Sequence, residues 1–468
     1  MKKKEIERIS EKLISKPKLV WDEIDKKEKK KVFDFDKEYQ NFLNRAKTER
    51  EAVQIISEIA LKKGFSLNPA GTHPIKMMKT FQGKSIALSI SGKKPITEGI
   101  NLIISHLDSP RLDLKQNPLY EEVDLAFMKT HYYGGIKKFQ WLTRPLAIHG
   151  KVIRSDGNSL DIVVGEDDSD PVFTVSDILP HLAKKAQFDK KVSDAFVGEK
   201  LNLMVGSLPF GDKDTKDRFR LAILNLLNER FGLIEEDLIS AELEVVPAGK
   251  ARDVGWDRGL TGAYGQDDRS CVFTSLKAMM DIKNPQKIAL ILFVDKEEIG
   301  SDGATGAKSR FLESVLADLM IANRKKPLYH EIHKILMNSR ALSADVNGAL
   351  DPDFQDLHEK RNAARLGYGI CLTKFTGSGG KYGASDANAE YVGWLRNLFN
   401  EKKIVWQTGE LGKVDEGGGG TVAKFLALYG MQIIDCGPPV LSMHSPFEIT
   451  HKGDIYMTYR GYRTFLES

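Results

Sequence analysis

The chain has 468 residues, 41% of them hydrophobic, with 69 Lys and Arg against 65 Asp and Glu and a formal net charge of +4. That length exceeds the usual single domain and the apolar fraction can fill substantial cores, so two domains are expected. The near balance of charge argues against a nucleic-acid track, and three dispersed cysteines (Cys271, Cys371 and Cys436) against a disulfide framework or a cysteine zinc site.

The N-terminus begins with a basic run, but charges interrupt the amphipathic spacing of Ile6, Ile9, Leu13 and Ile14. Neither a secretory leader nor a membrane span is expected, and a reducing cytoplasm is the simplest location. The lysine run from Lys26 to Lys31 reads as a solvated helix face, because aromatic residues are not interleaved with it. Farther on, Ile86 to Ile90, Ile100 to Ile104, Ile288 to Val294, Ile370 to Phe375, Ile404 to Trp406 and Met431 to Ile434 predict buried strands. Helical stretches separate many of them, which predicts an open α/β sheet with ligands beyond the carboxyl ends of its strands. The middle section differs. Pro145 to Ile153, Ser159 to Val164 and Leu243 to Val246 predict strands, and Thr215 to Phe231 a helix, so an inserted β-rich domain is expected near residues 110–250.

Chemistry enters with the segment that follows Ile288 to Val294, Asp295-Lys296-Glu297-Glu298-Ile299-Gly300. Adjacent like charges repel unless cations neutralise them, and two divalent ions would let one acid ligate while the other moves protons. An isolated Glu-Glu is also an ordinary solvated turn, so further ligands are required. Candidates occur at His106 and Asp108 after the run ending at Ile104, the latter read as the group orienting the imidazole. Asp267 precedes a helical pattern, where one carboxylate could bridge two cations; Asp345 and His444 each lie at a change of chain direction. His106, Asp267, Glu298, Asp345 and His444 together make two imidazoles and three carboxylates, a set suited to zinc, cobalt or manganese. The His330-Glu331-Ile332-His333 stretch lacks the spacing of a helical zinc motif and reads as a helix face, and His358 as either a support behind the metal ligands or a polar connector, not a direct ligand.

In this order and over the chain from about Gly71 to the last helix, these segments resemble the M18 metalloaminopeptidases. The resemblance implies a dinuclear-zinc exopeptidase-like α/β fold, the catalytic domain split into residues 1–109 and 251–468 by a dimerisation domain at 110–250. It implies two zinc ions per subunit, with cobalt or manganese as alternatives: His106 and Asp345 on one, Glu298 and His444 on the other, Asp267 bridging, and Glu297 as general base. It further implies six dimers in a tetrahedral dodecamer, with His181, from Leu179-Pro180-His181, reaching a neighbouring subunit's site to stabilise an oxyanion. Two glycine-rich segments, Thr376 to Asp386 and Asp415 to Thr421, would flank the substrate, with Lys381, Gly419 and Thr421 as contacts.

The expected activity is removal of single N-terminal residues, acidic or neutral and hydrophobic, from peptides with a free amine. Lys381 could pair with an acidic first residue, although Gly379 to Gly383 departs from the lysine segment of the acid-specific enzymes. Other classes are a two-metal phosphoesterase, which should carry a basic track, a deacylase or carboxypeptidase, which should use an arginine, and a non-catalytic assembly protein, which has no need of Glu297. Neither nucleic acid nor membrane is expected as a partner.

Overall fold

A computed structural model describes residues 3–67 and 75–468; Gly71, where the resemblance begins, lies outside them. Its largest sheet has eight strands, and the order across it explains where the functional segments meet. From one edge to the other the strands are Lys76–Phe81, Ser85–Ile90, Ile288–Val294, Ile100–His106, Arg340–Ser343, Gln432–Gly437, Ile370–Thr373 and Trp406–Thr408. The four central strands, Ile288–Val294 through Gln432–Gly437, run parallel, so all four carboxyl ends open on one side. Every residue of Ile288–Val294 and of Ile100–His106 is buried, as unbroken β-branched and aliphatic runs require when helices cover both faces.

One face is covered by Lys26–Arg45, Glu49–Lys62, Gln266–Asp281, Ala389–Glu401 and Lys452–Glu467, packed around Tyr39, Phe42, Phe273, Phe399 and Phe465. The other carries Phe311–Ala322, Tyr329–Met337 and Ala423–Ala427, around Val315, Leu316, Ile335 and Leu426. Each such fully buried Leu, Ile or Phe contributes about 1.5–3 kcal/mol, which is why a mixed open sheet of this size holds without disulfides. Cys271, Cys371 and Cys436 are free and buried. The His330 to His333 stretch lies on a helix, as read from its spacing. No helix among the described residues is long and apolar enough to cross a membrane.

Residues 111–247 build a six-stranded sheet in the order Ser159–Val164, Leu146–Ile153, Glu242–Pro247, Arg111–Glu122, Leu125–Tyr133, Leu203–Gly206, with a core of its own. Its central hairpin, Arg111–Glu122 with Leu125–Tyr133, escaped the hydrophobic pattern because the pairing register shifts between Leu114 and Leu119, across a polar stretch. The helix expected from Thr215 begins at Arg218, after Asp217 adopts a left-handed conformation that a helix cannot include.

A smaller five-stranded sheet lies beside the large one and includes Leu260–Ala263, Glu448–His451 and Pro439–Leu441. Ala263 is the register partner of Glu448. That pairing brings the turn before Asp267 next to the loop that carries His444. The two glycine-rich segments, expected to flank the substrate, pair with each other through Gly377–Ser378 and Gly418–Gly419.

Candidate active site

The register of the large sheet determines the first contact. His106 ends its strand opposite Val294, so the chain leaving Val294 turns directly beside the imidazole. In that turn Lys296 and Gly300 have φ of 68° and 94°, and these left-handed residues bracket the short helical turn of Glu297–Ile299. Asp345 follows the next parallel strand; its main chain approaches Gly437 so closely that a β-carbon there would lie 2.1 Å from the Asp345 carbonyl oxygen. Only glycine permits that approach.

Asp267 lies between the two imidazoles. Its Oδ1 is 3.2 Å from His106 Nε2 and its Oδ2 is 3.3 Å from His444 Nε2, which is also 3.4 Å from Glu298 Oε2. The potential ligand atoms fall into two groups, His106, Asp267 and Asp345 in one and Asp267, Glu298 and His444 in the other, all within 4.8 Å of one another in each group. Glu298 Oε1 is buried with no hydrogen-bond partner, and buried Asp267 Oδ1 has only the His106 ring nitrogen, out of good hydrogen-bond alignment, beside it. Buried carboxylate oxygens left in this state are destabilising unless a cation meets them, and a nitrogen and oxygen donor set of this size fits zinc.

Electrostatics follow from the same crowding. Burial and the neighbouring Asp267 charge push Glu298 well above the usual carboxylate range, and burial with Asp268 and Asp267 does the same to Asp345. Burial raises Glu297 to about 7. Burial alone would depress His444, but its hydrogen bond to Asp267 and the charge of Glu298 raise it to about 10. Bound divalent cations would reverse the carboxylate shifts, since a nearby positive charge favours the ionised acid.

The groups that hold these residues are partly unexpected. His106 Nδ1 lies 3.0 Å from the main-chain carbonyl of Asp108 and 3.4 Å from its carboxylate, so the orienting contact comes chiefly from the backbone. The Asp108 carboxylate instead accepts the N–H groups of Glu297 and Glu298 and the hydroxyl of Tyr133. Glu448 accepts from the N–H of Asp267 at 3.0 Å and of His444 at 2.7 Å, tying the small sheet to the centre. His444 Nδ1 contacts the carbonyl of Gly135 at 2.9 Å. Tyr133, Gly135 and Glu448 had no role in the sequence reading. The Tyr-Gly-Gly at 133–135 closing an alternating strand was the signal available for the first two.

A cavity of about 480 Å³ opens over the cluster, lined by Glu297, Glu298, Asp345 and His444 at its base and by Lys381, Gly419 and Thr421 from the glycine-rich loops. Lys381 donates to Asp386 at 2.9 Å and its ammonium lies 3.9 Å from the centre of the Phe375 ring. His181 is exposed in the turn Pro180–Leu182 and does not line this cavity.

Known proteins share this architecture. The family model described as aminopeptidase I zinc metalloprotease (M18) matches residues 42–466. A probable M18 family aminopeptidase 1 from Clostridium acetobutylicum is 48% identical over 464 residues, covering 97% of this chain and 99% of the relative. The crystal structure of an M18 aminopeptidase from Thermotoga maritima superposes with a TM-score of 0.93 at 45% identity, over 97% of this chain and 100% of that one. An aspartyl aminopeptidase from Caenorhabditis elegans is 25% identical across 92% of this chain and 94% of its own length. With near-complete coverage at such identity, the chain belongs to the M18 family of zinc metalloproteases and is an aminopeptidase by class.

Proposed function

We propose that the chain is a dizinc aminopeptidase in which His106 and Asp345 hold one ion, Glu298 and His444 the other, and Asp267 both. The observation that carries this reading is the placement of the two Asp267 oxygens, one toward each imidazole. Zinc ions held there supply Lewis-acid polarisation and lower the pKa of water.

The chain's own residues do the rest. Glu297 lines the cavity yet belongs to neither ligand group, which leaves its carboxylate free to take the proton of the attacking water and return it to the leaving amine. The carboxylates around the base of the cavity offer a counter-charge to the free α-amino group of a substrate, which restricts cleavage to first residues. Lys381 pairs with Asp386, but both side chains are half exposed, so the lysine can exchange that partner for the carboxylate of an acidic first residue, and a neutral or hydrophobic one is accommodated without it. Gly419 and Thr421 line the wall against which the peptide would lie.

The proposal extends to assembly. Residues 110–250 act as a dimerisation domain between the two catalytic parts, 1–109 and 251–468, within a homo-oligomer such as a dodecamer. Exposure of His181 away from its own cavity supports a role in a neighbouring subunit, where it would stabilise the developing oxyanion. Buried unpaired thiols suit a reducing cytoplasm.

The test is mass spectrometry of peptide release from a mixed library with free and acetylated N-termini, comparing zinc-loaded wild type with Glu297→Gln. Trimming of single residues from free N-termini only, lost in the variant, is the expected result. Endoproteolytic products, or trimming that survives in Glu297→Gln, would overturn the reading.

A further inference from the structure

The strand Leu125–Tyr133 belongs to the six-stranded sheet, yet its end reaches the active site at three places. The Tyr133 hydroxyl donates to Asp108 Oδ2 at 2.8 Å, while the same carboxylate receives the N–H groups of Glu297 on Oδ1 and Glu298 on Oδ2. The following Gly134 is packed so closely that a β-carbon would lie 3.3 Å from Glu298 Cβ, and Gly135 meets His444 through its carbonyl.

Tyr133 is itself held firmly. Its register partner across the hairpin is Arg111, whose guanidinium stacks 4.1 Å from the centre of the phenol ring. Arg111 is buried and paired with Asp113 at 2.8 Å, Glu244 at 3.2 Å and Glu49 at 3.6 Å. Glu244 comes from another strand of the six-stranded sheet, and Glu49 from a helix against the large sheet. The ring is thus clamped at the junction of the two sheets.

We propose that Tyr133 is a positioning residue for the reaction: it acts through Asp108 to hold the Glu297–Glu298 turn, so the six-stranded sheet sets where the general base stands. The two backbone N–H groups each hold one oxygen of the Asp108 carboxylate, and both come from the turn that the carboxylate is to hold. The Tyr133 hydroxyl is a donor to the same carboxylate from outside that turn, anchored on a different sheet, so it ties carboxylate and turn together to the six-stranded sheet and preorganises them. The inference rests on the assignment of Glu297 as general base.

Four zinc-loaded proteins test it: Tyr133→Phe, Asp108→Asn, the double variant, and Glu297→Gln. Tyr133→Phe removes one oxygen and keeps the stacked ring, so kcat is expected to fall about tenfold with KM changed less than about twofold, because the turn that carries the general base is less well preorganised while the substrate cavity is unchanged. The double variant is expected to lose less than the product of the two single effects, since the hydroxyl acts only through the side chain at 108. Hydrogen exchange should quicken in residues 295–300 of Tyr133→Phe and not elsewhere. Wild-type kcat in Tyr133→Phe, a double variant that loses the product of both single effects, or exchange that quickens across the whole chain would each overturn the proposal. If Glu297→Gln is inactive in those cases, the assignment of the base stands without it; activity in Glu297→Gln would remove both.

Discussion

Asp108 holds Glu297 by its backbone: Asp108 Oδ1 accepts the Glu297 N–H at 3.1 Å, and Oδ2 accepts the next N–H, that of Glu298, at the same distance. One buried carboxylate therefore sets a residue assigned to proton transfer and a residue assigned to metal binding, 189 and 190 positions away in sequence.

Asp108→Asn is expected to keep the fold and to lower kcat about 100-fold. The amide retains one accepting oxygen, so one of the two N–H groups is left facing a donor and the turn loosens. Steady-state kinetics with circular dichroism on the same preparation checks this. A variant with near wild-type kcat would show that the turn holds itself.

Removing zinc with a chelator is expected to abolish activity and to lower the Tm by several degrees. Without cations, Glu298 and Asp345 remain crowded and buried with Asp267, whereas an ion present at about 1,000 times its Kd adds about 4 kcal/mol to the folded state. Calorimetry before chelation, after it, and after zinc is restored measures the effect. An unchanged Tm would mean that the carboxylates are satisfied by protonation alone.

His181→Ala is expected to lower kcat about 100-fold with little change in KM, as removal of an oxyanion donor does. If the imidazole works in a neighbouring subunit, co-refolding His181→Ala with Glu297→Gln restores activity, because some sites then combine an intact Glu297 with an intact His181. An unchanged kcat in His181→Ala would place the residue outside the reaction, and mixed assemblies with no more activity than the separate variants would rule out action in a neighbouring subunit.

A pH-dependent contact lies away from the centre. His149 is buried with Nδ1 2.7 Å from Glu51 and Nε2 3.2 Å from Glu166, and Glu166 also receives Lys47. Burial alone would depress the imidazole, but its bonds to Glu166 and Glu51 raise it above its ordinary 6.5. The folded pKa exceeds the unfolded one, so this stabilisation is complete below about pH 6.5 and is lost as pH rises through the folded value. His149→Gln is therefore expected to be less stable than wild type by about 3 kcal/mol near pH 6, with a gap that narrows as pH rises through the folded value. Thermal unfolding across that range checks the sign; a gap that widens with pH would contradict it.

Local order alone was enough for the fold class and for the residue types at the centre. Apolar runs such as Ile288 to Val294 favour buried strands over buried helices, because they are short and rich in β-branched residues. The types and order of His106, Asp267, Glu298, Asp345 and His444 were readable for the same reason, since each stands where a strand ends or a turn begins. Tertiary structure decided what those residues touch. The pairing of Ala263 with Glu448 brings Asp267 to His444, and a hairpin from a second sheet carries Tyr133 and Gly135 to the site. It also gave Asp108 to the Glu297–Glu298 backbone more than to the His106 ring. Strand propensity and ligand chemistry are properties of short segments, whereas register and hydrogen-bond partnership depend on groups more than a hundred residues apart, which no local pattern encodes.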